Sequence, residues 1–166
     1  MKIVTIENDD KAEILKTRIP DVDIHAMNKS VIRELARDMR KIMRAADGVG
    51  LAANQIGLNI RMFVAEVPGE RGGRPKFYAL LNPEIIKVSK EKQVVEEGCL
   101  SVPGIFGPTP RAEKITFVGY DANGKKVKIK AWGFLARVLQ HETDHLNGHL
   151  FTEKAKSLHP VEIKKV

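Results

Sequence analysis

The chain has 166 residues, 43% of them apolar, which is enough for one sizeable core and too few for two ordinary domains, so residues 1–166 are expected to form a single catalytic domain. Its formal net charge of +7 excludes an acidic, anion-repelling surface and suits a polyanionic neighbour such as a ribosome surface, although solubility alone also accounts for charge of this kind. A single cysteine, Cys99, excludes an internal disulfide and fits a reducing compartment. No apolar run approaches the roughly 20 residues of a membrane span, and MKIVTIENDDKAEI turns acidic before a signal-peptide core could form, so a cytoplasmic protein with no membrane contact and no specific DNA binding is expected.

Along the chain, DDKAEILKTRIP can hold a helical turn ending before Pro20. From Ser30 to about Ala46, Val31, Leu35, Met39, Ile42, Met43 and Ala46 recur at helical spacing, with Ser30 as cap and Gly48 just beyond the end. GVGLAANQIG reads as a loop after that helix. The segments IRMFVAEV, FYALLNP, EIIKVS, QVVEEG, KITFVGYD and KKVKIKAW then read as antiparallel strands separated by Gly, Pro and Asn signals, with PGERGGRP as a surface loop. Asn123-Gly124 is expected to supply the positive backbone angles of a tight hairpin turn, and Lys126, Lys128 and Lys130 to share its solvated face. A second helix begins near Gly133 and stops around Gly148, with Phe134, Val138, His141 and His145 in one stripe. The expected fold class is α+β: antiparallel sheets packed around a central helix that carries the motif HExxH, with the other amphipathic helix near the N-terminus.

His141-Glu142-Thr143-Asp144-His145 is that motif. Residues four apart on a helix point to one side, so the two imidazoles can share a metal, while Glu142 at the edge of the face can take a proton from a metal-activated water without ligating. A catalytic divalent ion usually has three protein ligands. The pattern HExxHxxGxxH fails because Phe151 stands where its third histidine would be, and Glu153 and Glu162 follow with little structure to present them. Cys99, in EEGCLSVPG at a strand end, remains as a soft thiolate candidate, although a lone cysteine is more often a small buried hydrophobe. GVGLAANQIG at 48–57 lets backbone pass close to a ligand and offers the Gln55 amide. It lacks the lysine ending of a phosphate-binding loop.

In this order and at these separations, GVGLAANQ, EGCLS and QHETDH resemble the three signature motifs of peptide deformylases. The resemblance implies that Cys99, His141 and His145 ligate the metal, that Glu142 activates water, and that Gln55 and the backbone N–H of Leu100 hold the oxyanion. It further implies that Val49 and Gly50 present substrate-contacting backbone, and that Glu97, Gly98, Phe134 and Val138 line a methionine pocket. The implied substrate is the formyl-methionyl end of nascent peptides. The implied cofactor is one divalent ion, Fe(II) first, with Ni, Co or Zn able to take its place.

Three features depart from that pattern. The N-terminal segment lacks the family's Pro-Asp and Leu-Arg signals, Phe106 stands near a position where some members place an arginine, and FTEKAKSLHPVEIKKV is short for a long terminal helix. The rival readings are a zinc endopeptidase of the HExxH group, opposed by the missing third histidine, and a basic binding module with a structural metal, opposed by the want of a fourth ligand other than His149.

Overall fold

The computed structural model describes residues 1–7, 11–69 and 72–161. Glu162 and parts of the loop at 68–75 and of the segment DDKAEILKTRIP therefore lie outside the described residues. A 3-10 turn at Ala12–Lys16 realises the expected helical turn, and the first long helix, α1, spans Lys29–Ala45. Its cap is Asn28, not Ser30: the Asn28 side chain accepts from the backbone N–H of Ser30 at 3.0 Å and of Val31 at 3.3 Å. Of the expected stripe Met39 and Met43 are buried, but at the start of the helix Ile32 and Ala36 take the buried places expected for Val31 and Leu35, and Val31 is 57% exposed. Leu35 and Ile42 flank this stripe, so periodicity alone could not tell the neighbouring settings apart; contact with Met62, Val64 and Leu81 of the sheet decides.

That sheet has the order β1-β2-β3-β6-β7, all antiparallel. Its members are β1 (Gly50–Ala52), β2 (Met62–Val67), β3 (Lys76–Val88), β6 (Lys114–Asp121) and β7 (Lys126–Trp132). The signature segment is thus partly strand: β1 pairs with β2, and a 3-10 turn at Ala53–Ile56 follows. Strand β2 is buried on both faces. Met62 and Val64 pack with α1, while Phe63 and Ala65 join the opposite core, which explains a nearly continuous apolar run where a half-exposed strand would alternate.

The two segments FYALLNP and EIIKVS form one strand, β3, because the interruption at Asn82 is a bulge and not a turn. Asn82 has φ 47°, and its side chain pairs with both backbone groups of Val22 at 2.8 Å. At the β6–β7 hairpin only Gly124 has positive φ (77°), correcting the expected two-residue turn. The loop is one residue longer, closed by Asp121 N–H to Lys125 O at 2.9 Å, with the Asp121 carboxylate accepting from the N–H groups of Asn123 and Lys125.

A second sheet, β4 (Lys92–Cys99), β5 (Val102–Ala112) and β8 (His159–Pro160), has the order β4-β5-β8. Strand β5 has no counterpart among the expected strands, since its sequence VPGIFGPTPRA carries three prolines. The ring of Pro108 is accommodated because the Pro108 carbonyl accepts from Lys156 N at 2.9 Å, on the side away from β4, where the missing N–H costs no ladder bond.

Helix α2 (Gly133–Leu146) packs against strands of both sheets. Its C-terminal end is held by Arg61, which is 5% exposed and donates to the carbonyls of Leu146 (2.8 Å), Ile19 (3.2 Å) and Pro83 (3.2 Å) and to Asn147 Oδ1 (2.8 Å). Gly148 follows with φ 80°, as the expected stop signal requires. Among the described residues, no helix is long and apolar enough to cross a membrane.

Candidate metal centre

The functional face of α2 is buried, so each polar side chain on it needs a partner. Gln140 pairs with both backbone groups of Ala112 at 3.0 Å and thereby fixes the helix against β5. One residue on, His141 and His145 sit in ring contact, their Nε2 atoms 3.2 Å apart. Cys99 arrives from the end of β4, where a register shift between Gly98 and Cys99 turns the chain, and its Sγ lies 3.1 Å from His145 Nε2. The three donor atoms all fall within 4.8 Å of one another. Tetrahedral coordination at ordinary Zn–N and Zn–S lengths has ligand-to-ligand edges of about 3.3–3.8 Å, so the cluster fits a small transition ion.

Electrostatics favour that fit. Burial opposes ionisation of Cys99, but the charges of His145 and His141 and their hydrogen bonds outweigh it and bring the thiol down to about 5. A thiolate at neutral pH is the form that binds metal. Burial likewise opposes the charged form of His141, yet its bonds to Cys99 and Glu97 hold it up at about 10, so ion binding there releases a proton. Glu142 is pushed up to about 6, chiefly by burial. Its Oε2 meets no hydrogen-bond partner among the described residues. Gly50 makes room for this carboxylate: a Cβ at that position would stand 2.1 Å from Glu142 Oε1.

Around the donors lies a network whose arginine and aspartate members the sequence reading missed. Glu97 Oε2 accepts from His141 Nδ1 at 3.0 Å, which fixes the tautomer that leaves Nε2 free to ligate. Glu97 is in turn gripped by Arg111 (3.0 and 2.9 Å) and Arg137 (2.7 Å), and Arg111 also pairs with Asp144, to which Lys154 donates at 2.6 and 2.7 Å. Burial penalises the Glu97 carboxylate, but the His141 and Arg111 bonds win and hold it near 2. The members are separated by 10 to 44 residues, so no local motif announces them. Glu97 itself was assigned by resemblance to the pocket lining; it borders the cavity and also orients a donor.

On the other side of Cys99, Gln55 Oε1 accepts from Ala52 N at 2.8 Å, which turns Nε2 toward Ser101 Oγ (3.1 Å) and Cys99 Sγ (3.5 Å). A cavity of about 430 Å³ opens here. It is bordered by every residue that the resemblance assigned to the site except His145, which is 1% exposed. Thus Val49, Gly50, Gln55, Glu97, Gly98 and Leu100 come from the strand side, and Phe134 and Val138 from α2. Phe106 joins them by packing its ring on Gly98. Glu153, weighed as a late ligand, instead accepts from Leu150 N at 3.0 Å and pairs with His149 at 2.8 Å, and neither belongs to a metal-ligating cluster among the described residues.

An HExxH helix laid between antiparallel sheets, completed by a strand-borne cysteine and bordered by a cavity, defines a mononuclear metallohydrolase type of centre. Comparison with known proteins narrows this class. The sequence model described as polypeptide deformylase matches residues 1–161, and the peptide deformylase of Roseiflexus castenholzii is 43% identical over 94% of this chain and 89% of its own length. Among solved structures, a probable peptide deformylase from a Synechococcus phage superposes with a TM-score of 0.82 at 38% identity, covering 93% of this chain and 99% of the phage protein. The peptide deformylase from Thermus thermophilus gives 0.79 at 38% identity, covering 93% and 85%. The chain belongs to the polypeptide deformylase family.

Proposed function

We propose that this protein hydrolyses the N-formyl group from the formyl-methionyl end of nascent polypeptides and releases formate. The observation that carries this reading is the convergence of Cys99, His141 and His145 beside a buried Glu142 carboxylate, whose Oε2 has no partner among the described residues, at the wall of one cavity. A divalent ion held by Cys99 Sγ and the two Nε2 atoms supplies Lewis-acid polarisation and lowers the pKa of water toward neutrality, which a stable formamide requires. Fe(II) is the proposed resident, with Ni, Co or Zn able to occupy the same mixed thiolate and imidazole set.

The chain's own residues do the rest. Glu142 takes the proton of the attacking water at its free oxygen and hands it to the departing amine. The Gln55 amide and the Leu100 N–H donate to the formyl oxygen as negative charge builds there, each such donor being worth about 3 kcal/mol in the barrier. The backbone at Val49 and Gly50 aligns the peptide, and Glu97, Gly98, Phe134 and Val138 shape the space for methionine. We further propose one catalytic domain over residues 1–166, a cytoplasmic location, and contact with the ribosome surface, the last supported by the net charge of +7.

The test is formate release from formyl-Met-Ala-Ser by protein loaded anaerobically with Fe(II) or Ni(II), beside an acetyl-Met-Ala-Ser control. Rapid release from the formyl peptide alone is expected. Absence of turnover by folded, fully loaded protein would sink the reading.

A further inference from the structure

The five-stranded sheet leaves part of one face bare. Over β1, β2 and the first half of β3 that face is covered by α1, and the covered zone extends to Tyr120 and Ala122. Beyond it, the outward positions of β7 are Lys126, Lys128, Lys130 and Trp132, all exposed, while Val127, Ile129 and Ala131 point into the opposite core. The strand register extends the row: Lys130 lies opposite Thr116, which lies opposite Lys87, and Trp132 lies opposite Lys114. Glu84, opposite Val118, is the one acid among these paired outward positions. Among the described residues, none of the five lysines has an ion-pair partner, whereas Lys41 and Lys154 both do.

We infer that this face binds the sugar–phosphate backbone of an unpaired RNA segment, with a base stacked on Trp132. Lysines on alternate residues of one strand stand about 6.8 Å apart in a straight row, a ladder of mobile point charges suited to successive phosphates. A positively charged track ending in an exposed aromatic ring is the arrangement that holds single strands without reading sequence. Trp132 is 61% exposed. Among the paired outward positions named above, Trp132 is the one large apolar side chain that is exposed, too little for insertion into a bilayer. Two residues past Trp132, Phe134 borders the catalytic cavity, so RNA held on this face lies beside its mouth. The choice of RNA over DNA rests on the deformylase reading, because nascent chains are presented by an RNA-rich particle.

The experiment measures fluorescence anisotropy of a labelled 12-nucleotide oligouridylate between 50 and 200 mM salt, with formate release from formyl-Met-Ala-Ser followed on the same preparations. Parallel arms use a 12-base-pair RNA duplex, phosphatidylserine vesicles and polyglutamate. The triple substitution Lys126→Gln/Lys128→Gln/Lys130→Gln is expected to weaken oligouridylate binding more than tenfold. It should also flatten the slope of log K against log salt by about 2, at roughly 0.7 per phosphate lost. Trp132→Ala should weaken it about fivefold or more with an unchanged slope. All variants should keep the wild-type kcat/KM on the tripeptide. Equal binding by wild type and the triple variant would overturn the proposal, as would duplex, vesicles or polyglutamate binding as tightly as oligouridylate, or no effect of Trp132→Ala. Normal formate release without RNA binding would count against this face alone, and RNA binding without formate release against the deformylase reading alone.

Discussion

Helices α1 and α2 press on opposite faces of the same sheet and bury different chemistry. The buried residues of α1 are Ile32, Ala36, Met39 and Met43, and none of its polar residues is among them. Helix α2 buries Gln140, Glu142, Thr143 and His145 beside Ala136, Val138, Leu139 and Leu146. A buried polar group without a partner costs about 1–3 kcal/mol. Gln140 meets that demand through Ala112, Thr143 through the Leu139 carbonyl at 2.7 Å, and the Nε2 of His145 through Cys99. Among the described residues, Glu142 Oε2 and His145 Nδ1 are the buried side-chain atoms of this helix left unmatched, and of the two residues Glu142 stands at the cavity. One helix is therefore built for stability and the other gives some of it up for a reaction.

The largest expected effect tests that division directly. Glu142→Ala should lower kcat/KM by about 10²–10⁴, the range for loss of a general base, while the bound ion remains. Because it removes an unmatched buried carboxylate, its melting temperature should equal or exceed that of wild type. A fall of several degrees would mean that Glu142 belongs to the structural account after all. On the other helix, Met39 is fully buried against the sheet, and Met39→Ala should cost about 2–5 kcal/mol in denaturant unfolding with kcat/KM per folded molecule unchanged. A selective loss of activity would blur the contrast. Between these lies Glu97→Gln, which keeps the shape but weakens the grip on His141 Nδ1. Ion affinity, read by competition with a chelator, should fall about 10–100-fold, and an unchanged affinity would reduce Glu97 to pocket lining.

The same contrast explains what could be read from sequence. A helix that obeys amphipathic spacing was legible as α1, though not its setting, since Ile32 and Val31 are equally apolar and only the sheet decides which is buried. On α2 the two histidines were legible as candidate ligands because HExxH sets two donors at helical spacing, whereas Cys99 on β4 was assigned as a ligand only through the resemblance of the EGCLS segment. Strand β5 was not, because prolines normally mark strand ends and only the finished fold shows that the Pro108 ring faces away from β4. Arg111, Arg137 and Asp144 were invisible for a related reason: their partners come from distant segments, so each alone reads as an ordinary surface charge.

The smallest effect concerns an ion pair through which α1 reaches toward the site. Arg40 and Arg44 hold the Glu66 carboxylate, Arg44 at 2.7 and 2.8 Å, and the Glu66 N–H donates to the carbonyl of Val49 at 2.9 Å on the cavity rim. Hydrogen bonds from Arg44 and then Arg40 take the carboxyl from the ordinary 4.5 to about 2. A carboxyl whose folded pKa is depressed contributes stability fully above its unfolded value and loses it as pH falls through the folded one. Wild type should therefore lose more unfolding free energy than Glu66→Gln between pH 4.5 and 2. Glu97 titrates over the same range, but it does so in both proteins, so their difference isolates Glu66. Arg44 is 59% exposed, and the difference should shrink at high salt. Parallel pH profiles for the two proteins would show that α1 is tied to the rim by its apolar stripe alone, and the two helices would then be more sharply divided than the ion pair suggests.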